Sequence, residues 1–111
     1  MAAEETAEQR RARLAGYLEN YKRMLLEIIE HHLPTCRVYL FGSRATGTNQ
    51  EGADIDVAID CGQKVDWDTM LDIIGDVEES SIPVLVDVVD LHNVSPEMQE
   101  QIFKERIVWK N

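Results

Sequence analysis

The stretch FGSRATGTNQEGADIDVAID, residues 41–60, carries the pattern that decides the fold. A strand ends within it at Gly42 and Ser43, and a later strand carries Asp54 and Asp56. Side chains two positions apart on a strand point to the same face, so the two carboxylates can converge on one cation. Hard oxygen ligands of this kind favour Mg²⁺ or Mn²⁺ over zinc. A bare Asp-x-Asp is more often a solvated acidic strand face, so this interpretation depends on its neighbours.

The first neighbour is the turn formed by Gly42, Ser43 and Arg44. Glycine reaches backbone angles that are closed to other residues. If Ser43 opens a short helix, its backbone N–H and its hydroxyl can hold a phosphate, and Arg44 adds a bidentate donor beside them. A Gly-Ser pair on its own would be an ordinary turn, but before two aspartates it predicts nucleotide binding by these three residues.

The second neighbour is Asp87, which lies in the stretch PVLVDVVDL, residues 83–91. So continuous an apolar run is typical of a central strand. A lone carboxylate within it is costly unless it is paired or bound to metal. If this strand lies beside the strand of Asp54 and Asp56, three carboxylates meet and repel one another until a cation binds. The alternative is an edge strand that exposes Asp87 to water.

The remaining sequence predicts helices and strands in alternation. Thr6 with Gln9 reads as a capping box, and Pro34 stops the helix that follows. We expect a single domain spanning residues 1–111, with an α+β fold in which a mixed sheet is flanked by helices. The predicted elements are a helix over 6–33, a strand over 36–41, a short helix at 43–47, a strand over 53–60, a helix over 66–79, a strand over 83–91, a helix from 95 and a short edge strand at 107–109.

The charge is strongly acidic, with 11 Lys and Arg against 21 Asp and Glu and a formal net charge of −10. Residues 51–100 hold fourteen acids and one base, Lys64. Neutralisation of phosphates by Lys and Arg supplies most non-specific affinity for nucleic acid, so nucleic acid is not expected as a main ligand.

The sequence also indicates a location. No apolar stretch approaches the roughly 20 residues of a membrane helix, and the charged N-terminus lacks the apolar region of a signal peptide. We therefore expect a cytoplasmic protein without a membrane partner. Cys36 and Cys61 are too few for a disulfide framework, and we interpret them as small buried hydrophobic residues in a reducing compartment.

The combined pattern resembles the signature of a known family. Gly42 and Ser43, ten intervening residues, Asp54-x-Asp56 and a later Asp87 in a valine-rich strand are similar to the polymerase β-like nucleotidyltransferase superfamily. The short length points to its minimal nucleotidyltransferase (MNT) branch. The resemblance implies that Gly42 and Ser43 hold a triphosphate, that Asp54 and Asp56 bind two metal ions, and that Asp87 completes one metal site.

The resemblance also implies a reaction and a partner. Such an enzyme transfers AMP, or another nucleoside monophosphate, from ATP or another nucleoside triphosphate to a hydroxyl, with Mg²⁺ or Mn²⁺ as cofactor. The MNT branch commonly occurs beside a helical HEPN protein, often a ribonuclease toxin. The implied role is that of an antitoxin that attaches AMP to a tyrosine of the HEPN protein.

Three further readings stay open. One is nucleotidyl transfer to a small molecule such as an aminoglycoside, since enzymes of that kind share the motif. Another is a non-catalytic binding module that neutralises its partner by occlusion, which Thr46 makes credible because many relatives have Arg at this position. A homo-oligomer also stays open.

Overall fold

The structure, a computed structural model, describes residues 4–111. α1 begins after Thr6, whose side chain forms the expected reciprocal capping box with Gln9. The predicted elements are all present, with boundaries shifted by a few residues, and one short 3-10 helix follows the third strand. The elements are α1 (Ala7–His32), β1 (Arg37–Phe41), α2 (Ser43–Thr46), β2 (Ile55–Asp60), α3 (Trp67–Glu79), β3 (Val86–Asp90), the 3-10 helix (Leu91–Asn93), α4 (Pro96–Glu105) and β4 (Ile107–Lys110).

The strands form one sheet in the order β3-β2-β1-β4. β1 pairs antiparallel with β2 and with β4, whereas β2 pairs parallel with β3. The sheet is therefore mixed, and with helices packed on it the expected α+β fold is confirmed. The expectation of β4 as a short edge strand is confirmed as well.

β3 lies at the other edge of the sheet, so its prediction as a central strand was wrong. Its apolar composition has a different cause. Val88 is buried in the cluster on the α1 and α3 side, and Val89 packs against the cluster on the opposite face. The α1 and α3 side of β3 is therefore covered, whereas the opposite face is covered only in part, around Val89. Asp87 on that face is exposed, as the alternative interpretation of an edge strand expected.

Two hydrophobic clusters cover the two faces of the sheet. On one face α1 and α3 pack on the strands, with Leu25, Ile29 and Ile73 fully buried. On the other face Leu91 and Ile102, from the 3-10 helix and α4, pack with the even-numbered side of β2. Because strand residues alternate, the acidic side of β2 lies on this second face, toward α4.

α1 extends well beyond the sheet. Only its C-terminal half is packed on the core, and its side chains from residue 7 to residue 13 are exposed. The molecule is accordingly elongated, with a longest dimension of 54 Å. Within residues 4–111, no helix has the length and apolar character needed to cross a membrane.

Cys36 and Cys61 form a disulfide, so their interpretation as reduced thiols was wrong. The antiparallel register pairs Arg37 with Asp60, and the two cysteines are the next residues outward on each strand. Their Cα atoms are therefore only 4.4 Å apart, a separation that permits a disulfide. The bridge ties the start of β1 to the end of β2.

Candidate active site

Asp56 and Asp87 are direct neighbours in the parallel register of β2 and β3. Asp56 is half-buried and Asp87 is exposed, and both side chains lie on the face toward α4. The pKa of Asp56 is raised, because burial disfavours its charge and the charges of Asp87, Asp54 and Glu105 add repulsion. Four carboxylates therefore act on one end of this face, where a cation would relieve their repulsion.

Asp54 lies in the loop immediately before β2 and is exposed. Two hydrogen bonds fix the backbone on either side of it. The Ile55 N–H donates to the Leu85 carbonyl at 2.9 Å, and the Arg44 Nε donates to the Ala53 carbonyl at 2.8 Å. Asp54 thus lies at the same end of the sheet as Asp56, in a loop that Arg44 holds in place.

The structure gives Arg44 a role that its sequence position did not suggest. Its Nε is engaged with the loop carbonyl of Ala53, and its side chain also borders a groove beside α1. The nucleotide-binding role of Arg44 stays a prediction, which relies on the remaining guanidinium nitrogens.

Gly42 forms the turn between β1 and α2, and its φ of 75° and ψ of −161° lie where side chains are rarely tolerated. Its carbonyl accepts from the N–H groups of Ala45 and Thr46 at 3.0 and 3.1 Å. A Cβ atom at this position would overlap Oδ2 of Asp56 and lie 3.0 Å from its carboxyl carbon. The glycine is therefore required by its backbone angles, and a side chain there would also force the Asp56 carboxylate to rotate.

Ser43 is the first residue of α2, as the sequence predicted. Its carbonyl closes the turn, accepting from the Thr48 N–H at 3.0 Å and from the Thr46 hydroxyl at 3.3 Å. Thr46 also hydrogen-bonds the Thr48 hydroxyl at 2.8 Å. The Thr46 side chain thus serves the internal structure of the turn.

Glu105 is a site residue that sequence reasoning missed. It is the last residue of α4, and its Oε2 accepts a hydrogen bond of 2.7 Å from the Gly42 N–H. The segment FKERIVW shows a helix ending before a short strand, but nothing in it indicates which strand lies opposite. Only the pairing of β4 with β1 brings Glu105 to the turn.

The donor set suits a hard divalent cation such as Mg²⁺ or Mn²⁺, since it consists of carboxylate oxygens on one face of the sheet. Within residues 4–111, no three His, Cys, Asp or Glu side chains are already gathered closely enough to enclose a metal ion. Asp54, Asp56 and Asp87 are adjacent without converging, as expected for like charges that repel.

Several solved structures share this fold. A toxin–antitoxin structure with AMP-PNP is 22% identical and has a TM-score of 0.66, with 79% of this chain and 71% of that chain covered. An MNT antitoxin in complex with a tri-AMPylated HEPN toxin from Shewanella oneidensis is 19% identical, with a TM-score of 0.63 and coverage of 82% and 70%. A minimal nucleotidyltransferase is 24% identical, with a TM-score of 0.61 and coverage of 81% and 90%. No curated protein sequence matches the chain.

The family is shown by the sequence itself. The family model described as "Polymerase beta, Nucleotidyltransferase" matches residues 23–111. The matched region begins within α1 and includes the Gly42 turn, the three aspartates and β4. The protein therefore belongs to the polymerase β nucleotidyltransferase family.

Proposed function

We propose that the protein is a metal-dependent adenylyltransferase that moves AMP from ATP to a tyrosine hydroxyl of a HEPN-type partner and so acts as its antitoxin. The observation that carries the proposal is the close approach of Gly42 to Asp56. It joins a turn suited to phosphate and a carboxylate suited to metal in one site. The similarity in fold to MNT antitoxins, including one complexed with an AMPylated toxin, supports the choice of partner.

Each residue of the site has a role in this proposal. Asp54, Asp56 and Asp87 hold Mg²⁺ or Mn²⁺. The turn at Gly42 and Ser43 holds the phosphates through the Ser43 N–H and hydroxyl, because the Gly42 N–H already donates to Glu105. The bound metal supplies Lewis-acid stabilisation of charge at the α-phosphate and activation of the acceptor hydroxyl. The chain itself fixes the triphosphate beside the carboxylates, which lowers the entropic part of the barrier.

The acceptor comes from a second protein in this proposal, and the structure suggests where that protein docks. The matched family region starts at residue 23, so the N-terminal half of α1 lies outside it. A groove runs between this half and the α2 turn, lined in part by Leu14, Leu18 and Arg44. Tyr17 lies close by with 47% of its surface exposed. A partner bound here would lie beside the phosphate turn.

The test is a transfer reaction with the cognate HEPN-type neighbour. We expect the partner, incubated with the wild-type protein, ATP and Mg²⁺, to gain one or more AMP units in intact-mass analysis. Asp56→Asn should abolish the gain, whereas Asp72→Asn, an exposed aspartate on α3, should not. If an aminoglycoside gains mass and the protein partner does not, the proposed acceptor is wrong and the small molecule is the acceptor.

One observation favours a second candidate, a binding module that acts by occlusion. The family resemblance implies an arginine at the position of Thr46, and the Thr46 hydroxyl is used within the turn. If the protein acts by occlusion, the wild type and Asp56→Asn form equally tight complexes with the partner, and neither adds mass to the partner. The transfer reaction therefore separates the two candidates.

A further inference from the structure

Glu105 holds the Gly42 peptide by a hydrogen bond from its N–H to Oε2 at 2.7 Å. The other carboxylate oxygen, Oε1, accepts from the Gln101 side chain one turn earlier on α4. Both oxygens of Glu105 are thus engaged within the protein. The Gln101 contact fixes the carboxylate in the orientation that reaches Gly42.

The position of this hydrogen bond explains why a side chain is needed there. β1 and β4 pair antiparallel, with Leu40 opposite Ile107. Gly42 follows the end of β1, two residues after Leu40, so its N–H points to the same side of the chain as the N–H of Leu40. Its counterpart across the sheet, Glu105, is still helical. The carboxylate replaces the strand carbonyl that would otherwise accept this bond, and a half-buried N–H without an acceptor would be costly.

Gly42 also lies next to Asp56, a residue of the proposed metal site. A Cβ on Gly42 would overlap the Asp56 carboxylate, so the turn is in near contact with it. Any rotation of the Gly42 peptide changes the gap between the turn and Asp56. Glu105 is therefore placed to set that gap.

We propose that Glu105 is a positioning residue for nucleotide binding: its hydrogen bond to Gly42 holds the phosphate turn at a fixed distance from Asp56. This inference rests on the proposed function, because it assumes that the turn receives the phosphates. Glu105 acts through the Gly42 peptide, whose N–H donates to its Oε2, while the Gln101 side chain donates to its Oε1.

Two conservative variants separate the hydrogen bond from the charge. Glu105→Gln keeps the length of the side chain and an oxygen acceptor but loses the charge. Glu105→Asp keeps the charge but is one methylene too short to reach the Gly42 N–H. We expect Glu105→Gln to bind AMP-PNP with Mn²⁺ within about threefold of wild type, and Glu105→Asp to bind about tenfold more weakly, the loss expected for one hydrogen bond to a charged group.

The experiment is an isothermal titration of each purified full-length variant with AMP-PNP and Mn²⁺, below its melting temperature. Amide exchange at Gly42, followed by NMR, provides a readout independent of nucleotide, and protection should be lost only in Glu105→Asp. If the wild type binds nucleotide and the two variants bind equally well, the positioning role alone is wrong. The same conclusion follows if Glu105→Asp binds more tightly than Glu105→Gln. A wild type that binds no nucleotide would overturn both this role and the proposed function.

Discussion

Gly42 and Asp56 lie so close that a methyl group does not fit between them. The Cβ of an alanine at position 42 would overlap Oδ2 of Asp56, and the φ of 75° is itself unfavourable for alanine. The turn that follows β1 therefore lies against the Asp56 side chain at the start of β2. Any substitution at Gly42 must move either the turn or the carboxylate.

The first prediction follows from this contact. Gly42→Ala should lower the affinity for AMP-PNP with Mn²⁺ by at least about tenfold, because displacement of the turn or of Asp56 disrupts both halves of the site. Gly47→Ala is the matched control. Gly47 has a φ of 78°, and an added Cβ there would meet open space. Gly47 lies in the left-handed region, with φ 78° and ψ 14°, where alanine costs roughly 1–2 kcal/mol. Gly42, with ψ −161°, lies in a region almost confined to glycine, so Gly42→Ala loses more stability and both variants are titrated below their melting temperatures. Only Gly42→Ala should lose affinity. Equal affinities in the two titrations would contradict the assignment.

The second prediction concerns the cost of the carboxylate cluster without metal. Because the pKa of Asp56 is raised by burial and by Asp87, Asp54 and Glu105, its ionisation disfavours the folded chain. The wild type loses this part of its stability as the pH rises from about 4 through the folded-state pKa. Asp56→Asn should therefore be more stable than wild type at pH 7, by roughly 0.5–2 kcal/mol.

Urea unfolding in EDTA measures this difference at two pH values. The advantage of Asp56→Asn should be present at pH 7 and absent at about pH 4, where the free carboxyl is half protonated. Asp72→Asn, an exposed aspartate on α3, should show no comparable gain. A loss of stability in Asp56→Asn at pH 7 would mean that this carboxylate is structural.

Several local features of the candidate site could be predicted from sequence because they depend on local rules. Period-two alternation places Asp56 on one face of β2, although Asp54 lies in the loop before the strand, and a glycine before a helix-forming serine predicts the turn. The sequence also predicted that Asp56 and Asp87 lie side by side if their two strands are neighbours. The parallel register of β2 and β3 confirms this.

The remaining features depend on strand order and register, which local patterns do not encode. The acceptor for the Gly42 N–H comes from Glu105, more than sixty residues later, because β4 happens to lie beside β1. The disulfide of Cys36 and Cys61 needs the antiparallel register of β1 and β2. The edge position of β3 was hidden because Val88 and Val89 pack on opposite faces of the sheet, so the strand is apolar on both sides.

The third prediction concerns Asp60, at the far end of β2 from Asp56. It accepts hydrogen bonds from the His92 ring at 2.7 Å, the Gly62 N–H at 3.0 Å and the Tyr39 hydroxyl at 3.1 Å. Burial raises the pKa of Asp60, but these hydrogen bonds, led by that of His92, outweigh burial and lower it. Its stabilisation is present above the ordinary value near 4 and is lost as the pH falls through the folded-state pKa.

Asp60→Asn should therefore reduce the free energy of unfolding at pH 7 by about 1–3 kcal/mol, the usual cost of disrupting hydrogen bonds to a charged group. The deficit should shrink below about pH 4, where the wild type loses the same charge. Urea titrations at pH 7, 5 and 3 measure it. Asp72→Asn again serves as the control, and a deficit that persists unchanged at pH 3 would contradict the hydrogen-bonded carboxylate.

The fourth prediction concerns the disulfide. Cys36 and Cys61 are 25 residues apart, and closing a loop of this length in the unfolded chain stabilises the fold by about 3 kcal/mol in the chain-entropy account. Replacing both cysteines by serine should lower the free energy of unfolding by about 3 kcal/mol. The stability of this variant should not depend on reductant. Because the bridge lies at the opposite end of β1 from Gly42, AMP-PNP affinity should stay unchanged. A wild type that reductant does not destabilise would argue against the bridge.

The last prediction tests whether Asp54 and Asp56 hold the metal. A ligand that binds only the folded state stabilises it by about 2.7 kcal/mol when its concentration is a hundred times its dissociation constant. ATP with Mg²⁺ or Mn²⁺ should therefore raise the melting temperature of the wild type, and Asp54→Asn with Asp56→Asn should abolish the rise. The matched control replaces Asp68 and Asp72, two exposed aspartates of α3, by Asn, which changes the net charge equally. An equal rise in the site variant and in this control would show that the metal binds elsewhere.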